Sequence, residues 1–148
     1  MNDRPALAEV FFGIAQTWAL RSTCSSRVAV GCVLVNQYKQ VIASGYNGSP
    51  RGLEHCDEVG CDLDKDGHCV RALHAEENAI IQCAMTGVAT MGSTLYVTHS
   101  PCPRCARVII QAGIVCVVFM VGYKGAYATE ELLKKAGIPL ILWKGGEL

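Results

Sequence analysis

Two short patterns constrain this chain more than any other feature: His74-Ala75-Glu76 and Pro101-Cys102-Pro103-Arg104-Cys105. Each stands at the predicted opening of a helix, where Pro103 suits the first turn. A Cys-x-x-Cys at a helix start lets two thiolates converge on one ion, and the imidazole of His74 supplies a third ligand. Zinc accepts this mixed sulfur and nitrogen set in tetrahedral geometry, and three protein ligands leave the fourth position open for water. Helix N-termini favour thiolates over thiols. Two thiolates already balance the formal charge of Zn²⁺, so the water needs a nearby base as well as the metal. Glu76, two residues beyond His74, is placed for that role.

Either half alone has blander readings. A lone Cys-x-x-Cys serves as a redox pair or as half of a structural zinc site. The two halves together, with a carboxylate that structural zinc does not need, predict a metal-assisted hydrolysis. In the zinc deaminases that carry the His-x-Glu and Pro-Cys-x-x-Cys signature, metal-bound hydroxide attacks C4 of cytosine. The glutamate protonates ring N3 and then carries a proton to the departing ammonia. A non-catalytic zinc protein is the contrasting expectation from a different class.

Composition narrows the substrate. Lys plus Arg number 13 and Asp plus Glu number 13, so the formal charge is zero and no broad nucleic-acid surface is expected. A small phosphorylated metabolite is easier to accommodate than a polymer. A chain of 148 residues that is 51% hydrophobic suits one domain over 1–148 with a sizeable core. No apolar run approaches the roughly 20 residues needed to span a bilayer. MNDRPALAEV lacks the hydrophobic run of a secretory signal. The expectation is therefore a cytoplasmic protein without membrane contact, in which nine cysteines serve metal ligation and burial rather than disulfides.

Periodicity sets the elements. Asp3 and Pro5 open a first helix, whose apolar stripe Leu7, Phe11, Ile14 and Trp18 is expected to pack in the core. Arg27 to Val35 and Gln40 to Gly45 read as a hairpin around a turn at Asn36 to Lys39. A long polar segment, 47–73, follows. Loops of this length in a compact domain are functional or disordered, and its cysteines and histidines argue for function. A helix begins near His74 or Ala75 and ends by Gly87. Thr94 to Thr98 is a strand, and a helix runs from Pro103 to about Ala112. Ile114 to Val121 is an apolar strand, Thr129 to Ala136 a helix, and Ile138 to Leu142 the last strand. Strand and helix alternation predicts a layered α/β/α domain around a mixed sheet. Cys32, Cys83 and Cys116 fall in apolar patterns and read as small core residues.

The chain resembles the deoxycytidylate deaminase branch of the cytidine deaminase superfamily. The matching pieces are Thr23-Cys24-Ser25-Ser26-Arg27, Val30-Gly31-Cys32-Val33 and Gly45-Tyr46-Asn47-Gly48-Ser49-Pro50. They continue with His74-Ala75-Glu76-Glu77-Asn78-Ala79-Ile80, Thr94-Leu95-Tyr96-Val97-Thr98 and Ser100-Pro101-Cys102-Pro103-Arg104-Cys105. The zinc motifs point to the superfamily, and Gly45 to Pro50 with the long segment after it points to the branch. The resemblance implies a five-stranded mixed sheet flanked by helices and a homo-hexamer. It implies zinc on His74, Cys102 and Cys105, Glu76 as proton shuttle, and free deoxycytidylate (dCMP) as substrate. Asn47 would contact the sugar, the backbone near Ala75 and Ser100 would read the pyrimidine edge, and Tyr123 would shape or cover the base pocket. For Asn47 a plain turn role stands beside the functional one, and for Tyr123 plain packing. The phosphate needs several donors, and Arg27, Arg51 and Lys124 are the candidates. Lys124 stands where related enzymes often carry arginine.

Members of this branch are often activated by dCTP and inhibited by dTTP, with Mg²⁺ on the effector. Some carry a second, structural zinc, which would offset the ordering entropy of a polar loop. Cys24, His55, His68 and Cys69 are its candidate ligands, drawn from a pool that also holds Cys56 and Cys61; spacing does not select among them. His99 is expected at the rim of the site, beside the long segment or in the second metal group. Free cytidine, guanine, and a pterin or riboflavin precursor are competing substrates, and a flipped nucleic-acid base is a more distant one.

Overall fold

The computed structural model describes residues 4–24, 28–123 and 126–148. Asp3, Arg27 and Lys124, named above, lie outside the described residues. Five strands form one sheet: β1 (Gly31–Val35), β2 (Val41–Tyr46), β3 (Thr94–His99), β4 (Cys116–Val121) and β5 (Leu140–Leu142), in the order β2-β1-β3-β4-β5. β1 runs antiparallel to β2 and β3, whereas β3, β4 and β5 are parallel to one another. The parallel strands are joined through helices, as parallel pairing requires. α4 (Pro103–Gln111) links β3 to β4, and α5 (Tyr127–Lys135) links β4 to β5.

The strands sort their side chains by alternation. Val33 and Val35 of β1, Tyr96 of β3 and Val118 of β4 pack with Ala8, Phe11 and Phe12 of α1 (Leu7–Ala19) on one face. Cys32, Leu34, Leu95, Val97 and Val117 pack on the other face with Ala75, Ala79 and Cys83 of α3 (Ala75–Thr86) and with Ala106 and Ile109 of α4. Three layers result, α/β/α, as the alternation of elements predicts. Cys32 and Cys83 are buried in the larger core, and Cys116 packs against the smaller one.

The face that α1 buries differs from the predicted stripe. Ala8, Phe11, Phe12, Ala15 and Ala19 are buried, whereas Leu7 and Trp18 stay partly exposed. The alanines allow a close approach: a Cβ on Gly31 would fall on the Ala15 carbonyl. Large side chains are displaced to the flank, where Trp18 stacks on Tyr46 at 5.7 Å with an interplanar angle of 7°. The helix opens at Leu7, with the Glu9 carboxylate accepting the Ala6 N–H at 3.0 Å.

β1 begins at Gly31 rather than at Arg27, because residues 28–30 pair with a side chain instead of a strand. Asn47 Oδ1 accepts the Val30 N–H at 2.8 Å, and Asn47 Nδ2 donates to the Val28 carbonyl at 3.2 Å. The segment after β2 carries one short helix, α2 (Cys56–Val59), and isolated bridges at Gly48–Leu73 and Leu63–Cys69. No helix among the described residues is long and apolar enough to cross a membrane.

Candidate active site and metal centres

Both sequence patterns sit at helix N-termini on the same side of the sheet. His74 is the N-cap of α3, and its N–H donates to Glu77 Oε2 at 3.2 Å in a capping arrangement. Gly45 of β2 makes room for this helix start, since a Cβ there would fall on the Ala75 carbonyl. Cys102 caps α4, where its Sγ accepts the Cys105 N–H at 3.5 Å and Pro103 occupies the first turn. A second link crosses between the helices: Arg104 Nε donates to Glu77 Oε1 at 2.8 Å. Glu77 therefore holds the His74 backbone with one oxygen and the Cys-x-x-Cys turn with the other.

The donor atoms converge. His74 Nδ1 lies 3.5 Å from Cys102 Sγ and 3.3 Å from Cys105 Sγ. A tetrahedral ion with bonds of about 2.0–2.3 Å holds neighbouring donors roughly 3.5 Å apart, so the triad fits zinc with one position open. Hydrogen bonds from Cys105 and His74 pull the Cys102 thiol down to about 3, and the contact with Cys102 raises His74. Glu76 is 4% exposed, beside the triad, and burial pushes its carboxyl from 4.5 up to about 7, against the opposing hydrogen bonds of its own N–H and the Cys105 thiol.

These groups open into a cleft of about 610 Å³. Of the residues expected to bind substrate, Asn47, Ala75, Ser100 and Tyr123 all line it. Their roles are more specific than the sequence suggested. The Asn47 amide is buried and already braces residues 28–30, so it shapes the wall that it also lines. The Ser100 N–H is taken by the Val121 carbonyl at 2.8 Å, whereas its Oγ is buried without a partner. As the first helical residue of α3, Ala75 has no intrahelical acceptor for its N–H. Tyr123 reaches over the motif loop, its hydroxyl donating to the Pro101 carbonyl at 3.4 Å. Arg51 does not join: it is exposed in a turn outside the cleft residues.

Two residues were missed. Buried Thr129 donates to the same Pro101 carbonyl at 2.9 Å, from a helix far along the chain. Arg104 lines the cleft and locks Glu77; its place between the two motif cysteines was visible, but its partner was not.

A second group lies across the cleft wall. Cys24, Cys56, Cys61 and Cys69 bring their sulfurs within 4.8 Å of one another, with Cys24–Cys61 at 3.8 Å and Cys56–Cys69 at 3.7 Å. Tetrahedral thiolate ligands on zinc stand about 3.8 Å apart, so four cysteines fit a closed site. Of the four ligands expected from the sequence, Cys24 and Cys69 belong and His55 and His68 do not. His55 caps α2 and turns Nδ1 to Thr23 Oγ1 at 3.3 Å. His68 is exposed and pairs with Asp64 at 3.4 Å. Cys56, the buried first residue of α2, and Cys61, just past the Gly60 cap of that helix, stand in the group instead.

Comparison with known proteins agrees with this architecture. Residues 6–121 match the family described as the cytidine and deoxycytidylate deaminase zinc-binding region. The chain is 46% identical over 136 residues to ComE operon protein 2 of Bacillus subtilis, covering 92% of this chain and 70% of that protein. It is 40% identical over 140 residues to the deoxycytidylate deaminase of Saccharomyces cerevisiae, covering 91% of this chain and 44% of the yeast protein. The chain thus spans less than half the length of that yeast relative. Among solved structures, the dCMP deaminase of cyanophage S-TIM5 in complex with dCMP and dUMP superposes with a TM-score of 0.81 at 31% identity, covering 95% of this chain and 98% of the phage protein. The fold and its zinc-binding region define a member of the cytidine deaminase superfamily, and within it the chain belongs to the deoxycytidylate deaminase family.

Proposed function

We propose that residues 1–148 act as one deaminase domain, with 47–73 as its metal-bearing insertion, and that the chain hydrolyses free dCMP to dUMP and ammonia. The observation that carries this reading is the buried carboxylate of Glu76 beside a three-ligand metal group at the floor of a nucleotide-sized cleft. His74, Cys102 and Cys105 would hold Zn²⁺, which when bound supplies a water activated for attack at the pyrimidine C4. Glu76, with its carboxyl near 7, is suited both to accept a proton at its carboxylate and to return it to ring N3 and the departing amine. The N-terminus of α3 presents the Ala75 N–H, and Tyr123 covers the motif loop. Asn47 braces the sugar-side wall. Arg27 and Lys124 remain the phosphate candidates, joined by Arg104 at the cleft.

Cys24, Cys56, Cys61 and Cys69 would hold a second Zn²⁺ with no open position, a structural ion for the insertion. Family membership further supports a cytoplasmic homo-hexamer under dCTP activation and dTTP inhibition, with Mg²⁺ on the effector. Ultracentrifugation and assays with and without each triphosphate test these points.

The central test is Glu76→Gln. It should keep the triad's zinc while lowering kcat on dCMP by at least about 10³-fold, the scale of a lost general acid and base. Turnover at the wild-type rate would end the proton-shuttle assignment. Wild-type protein with zinc bound that releases no ammonia from dCMP, with or without dCTP, would end the substrate assignment.

A further inference from the structure

His99 closes β3 and has no part in the roles assigned above, yet it lines the cleft beside Ser100. Its Nδ1 lies 3.0 Å from Thr98 Oγ1. That hydroxyl is buried, and its oxygen already accepts the Gly31 N–H at 3.2 Å. A backbone amide only donates, so the hydroxyl proton still needs an acceptor. Among the described residues, Nδ1 of His99 is the acceptor in reach. A neutral imidazole that accepts at Nδ1 carries its proton on Nε2. Burial lowers the His99 pKa, which keeps the ring neutral. The strand backbone thus dictates the tautomer through Thr98, and Nε2–H has no partner among the described residues.

A pyrimidine nucleotide offers mostly acceptors away from its amine: the ring O2, the sugar oxygens and the phosphate. A ring nitrogen presenting its lone pair would repel O2 and the phosphate and could be met only by the sugar hydroxyl, whereas a fixed N–H suits every oxygen. The neighbouring Ser100, which lines the same wall, has its Oγ buried without a hydrogen-bond partner. We propose that His99 Nε2–H donates a hydrogen bond to an oxygen of the bound nucleotide and thereby sets substrate affinity, with Thr98 holding the tautomer that makes this contact. The proposal rests on the cleft being a nucleotide site.

The test compares zinc-loaded wild-type protein with His99→Phe, His99→Asn and His99→Gln on dCMP and deoxycytidine. A glutamine amide reaches the position of Nε2, whereas asparagine replaces Nδ1 alone. KM for dCMP should rise about tenfold in the Phe and Asn variants with kcat within about twofold, and Gln should recover most of the loss. Zinc content should not change. An equal rise on deoxycytidine places the acceptor on base or sugar, and a rise confined to dCMP places it on the phosphate; either supports the contact. Nitrogen-15 spectra of histidine-labelled wild-type protein should show His99 protonated at Nε2, with a shift on adding dUMP. An unchanged KM in the Phe variant, a kcat loss matching the KM rise, or protonation at Nδ1 would overturn the proposal. A zinc-loaded wild type inert on dCMP would instead overturn the substrate reading, and the spectra would still decide the tautomer.

Discussion

The two sulfur groups of this molecule are built by opposite means. His74, Cys102 and Cys105 stand at the starts of α3 and α4, which place Ala79, Cys83, Ala106 and Ile109 in the main core. Sheet, helices and the Glu77–Arg104 link would hold them in register with no ion present. Cys24, Cys61 and Cys69 sit outside the helices and the sheet strands and Cys56 opens the four-residue α2, and together with Ala72 they are the only packed cluster that residues 47–73 join among the described residues. The first group is a pre-formed site with an opening; the second, if it holds the proposed ion, is a closed knot that the ion would tie. A metal that meets three ligands on a rigid frame is free to act on a fourth. A metal that met four on a loop would replace the hydrophobic core the loop lacks.

That contrast breaks most sharply under single ligand removal. Cys105→Ser should remove one zinc equivalent and lower kcat by more than about 10³-fold, with the fold intact by circular dichroism. Cys56→Ser should remove the other equivalent and expose residues 47–73 to proteolysis. Because Cys24 and Cys69 line the cleft, its effect on turnover should enter through KM. Zinc analysis with limited proteolysis separates the two. Equal proteolysis in both variants would show that the two groups do not differ as argued.

The buried Glu76 sharpens the same comparison through pH. Its carboxyl is raised from 4.5 to about 7 by burial, so the folded, metal-free chain keeps a proton that the unfolded chain releases. Below the lower value both states are protonated and Glu76 costs nothing. Through the interval stability falls as pH rises, and above the higher value the cost levels off at about 3 kcal/mol. Glu76→Gln in metal-free protein should therefore be more stable than wild type at pH 8 and equal to it at pH 4, by denaturant unfolding. A pH-independent difference would show that the desolvation argument fails.

The pre-formed half was legible in the sequence, and the other half only as a pool of candidate ligands from which Cys24 and Cys69 were chosen rightly and His55 and His68 wrongly. His74, Glu76, Cys102 and Cys105 announce themselves because each belongs to a local pattern whose spacing already encodes a helix start. The five strands were legible for the same reason, with ends in error by a few residues. Sequence could not choose Cys56 and Cys61 over His55 and His68, since ligand choice there depends on how an irregular loop folds back. Trp18 was placed in the core because its spacing fits a helical stripe; the close approach of α1 at Gly31, which only alanines permit, is a tertiary fact. Thr129 and Arg104 were missed because their partners lie on other elements.

The smallest expected effect tests whether the pre-formed site owes its register to one ion pair. Arg104 is 64% exposed, so its charge alone would contribute little to stability. Its geometry is another matter, because Glu77 is buried and binds both the His74 N–H and the Cys-x-x-Cys turn. Arg104→Gln leaves Glu77 able to cap α3 while freeing α4 from it. Zinc affinity of the triad, measured by chelator competition, should fall about tenfold, as for other residues that orient metal ligands. The thiolate cluster of the insertion should bind as before. Glu77→Gln, which keeps the shape but loses the charge, should fall between Arg104→Gln and wild type. If Arg104→Gln binds zinc as tightly as wild type, the sheet and helix caps alone hold the triad, and the pre-formed half is more rigid than the ion pair suggests.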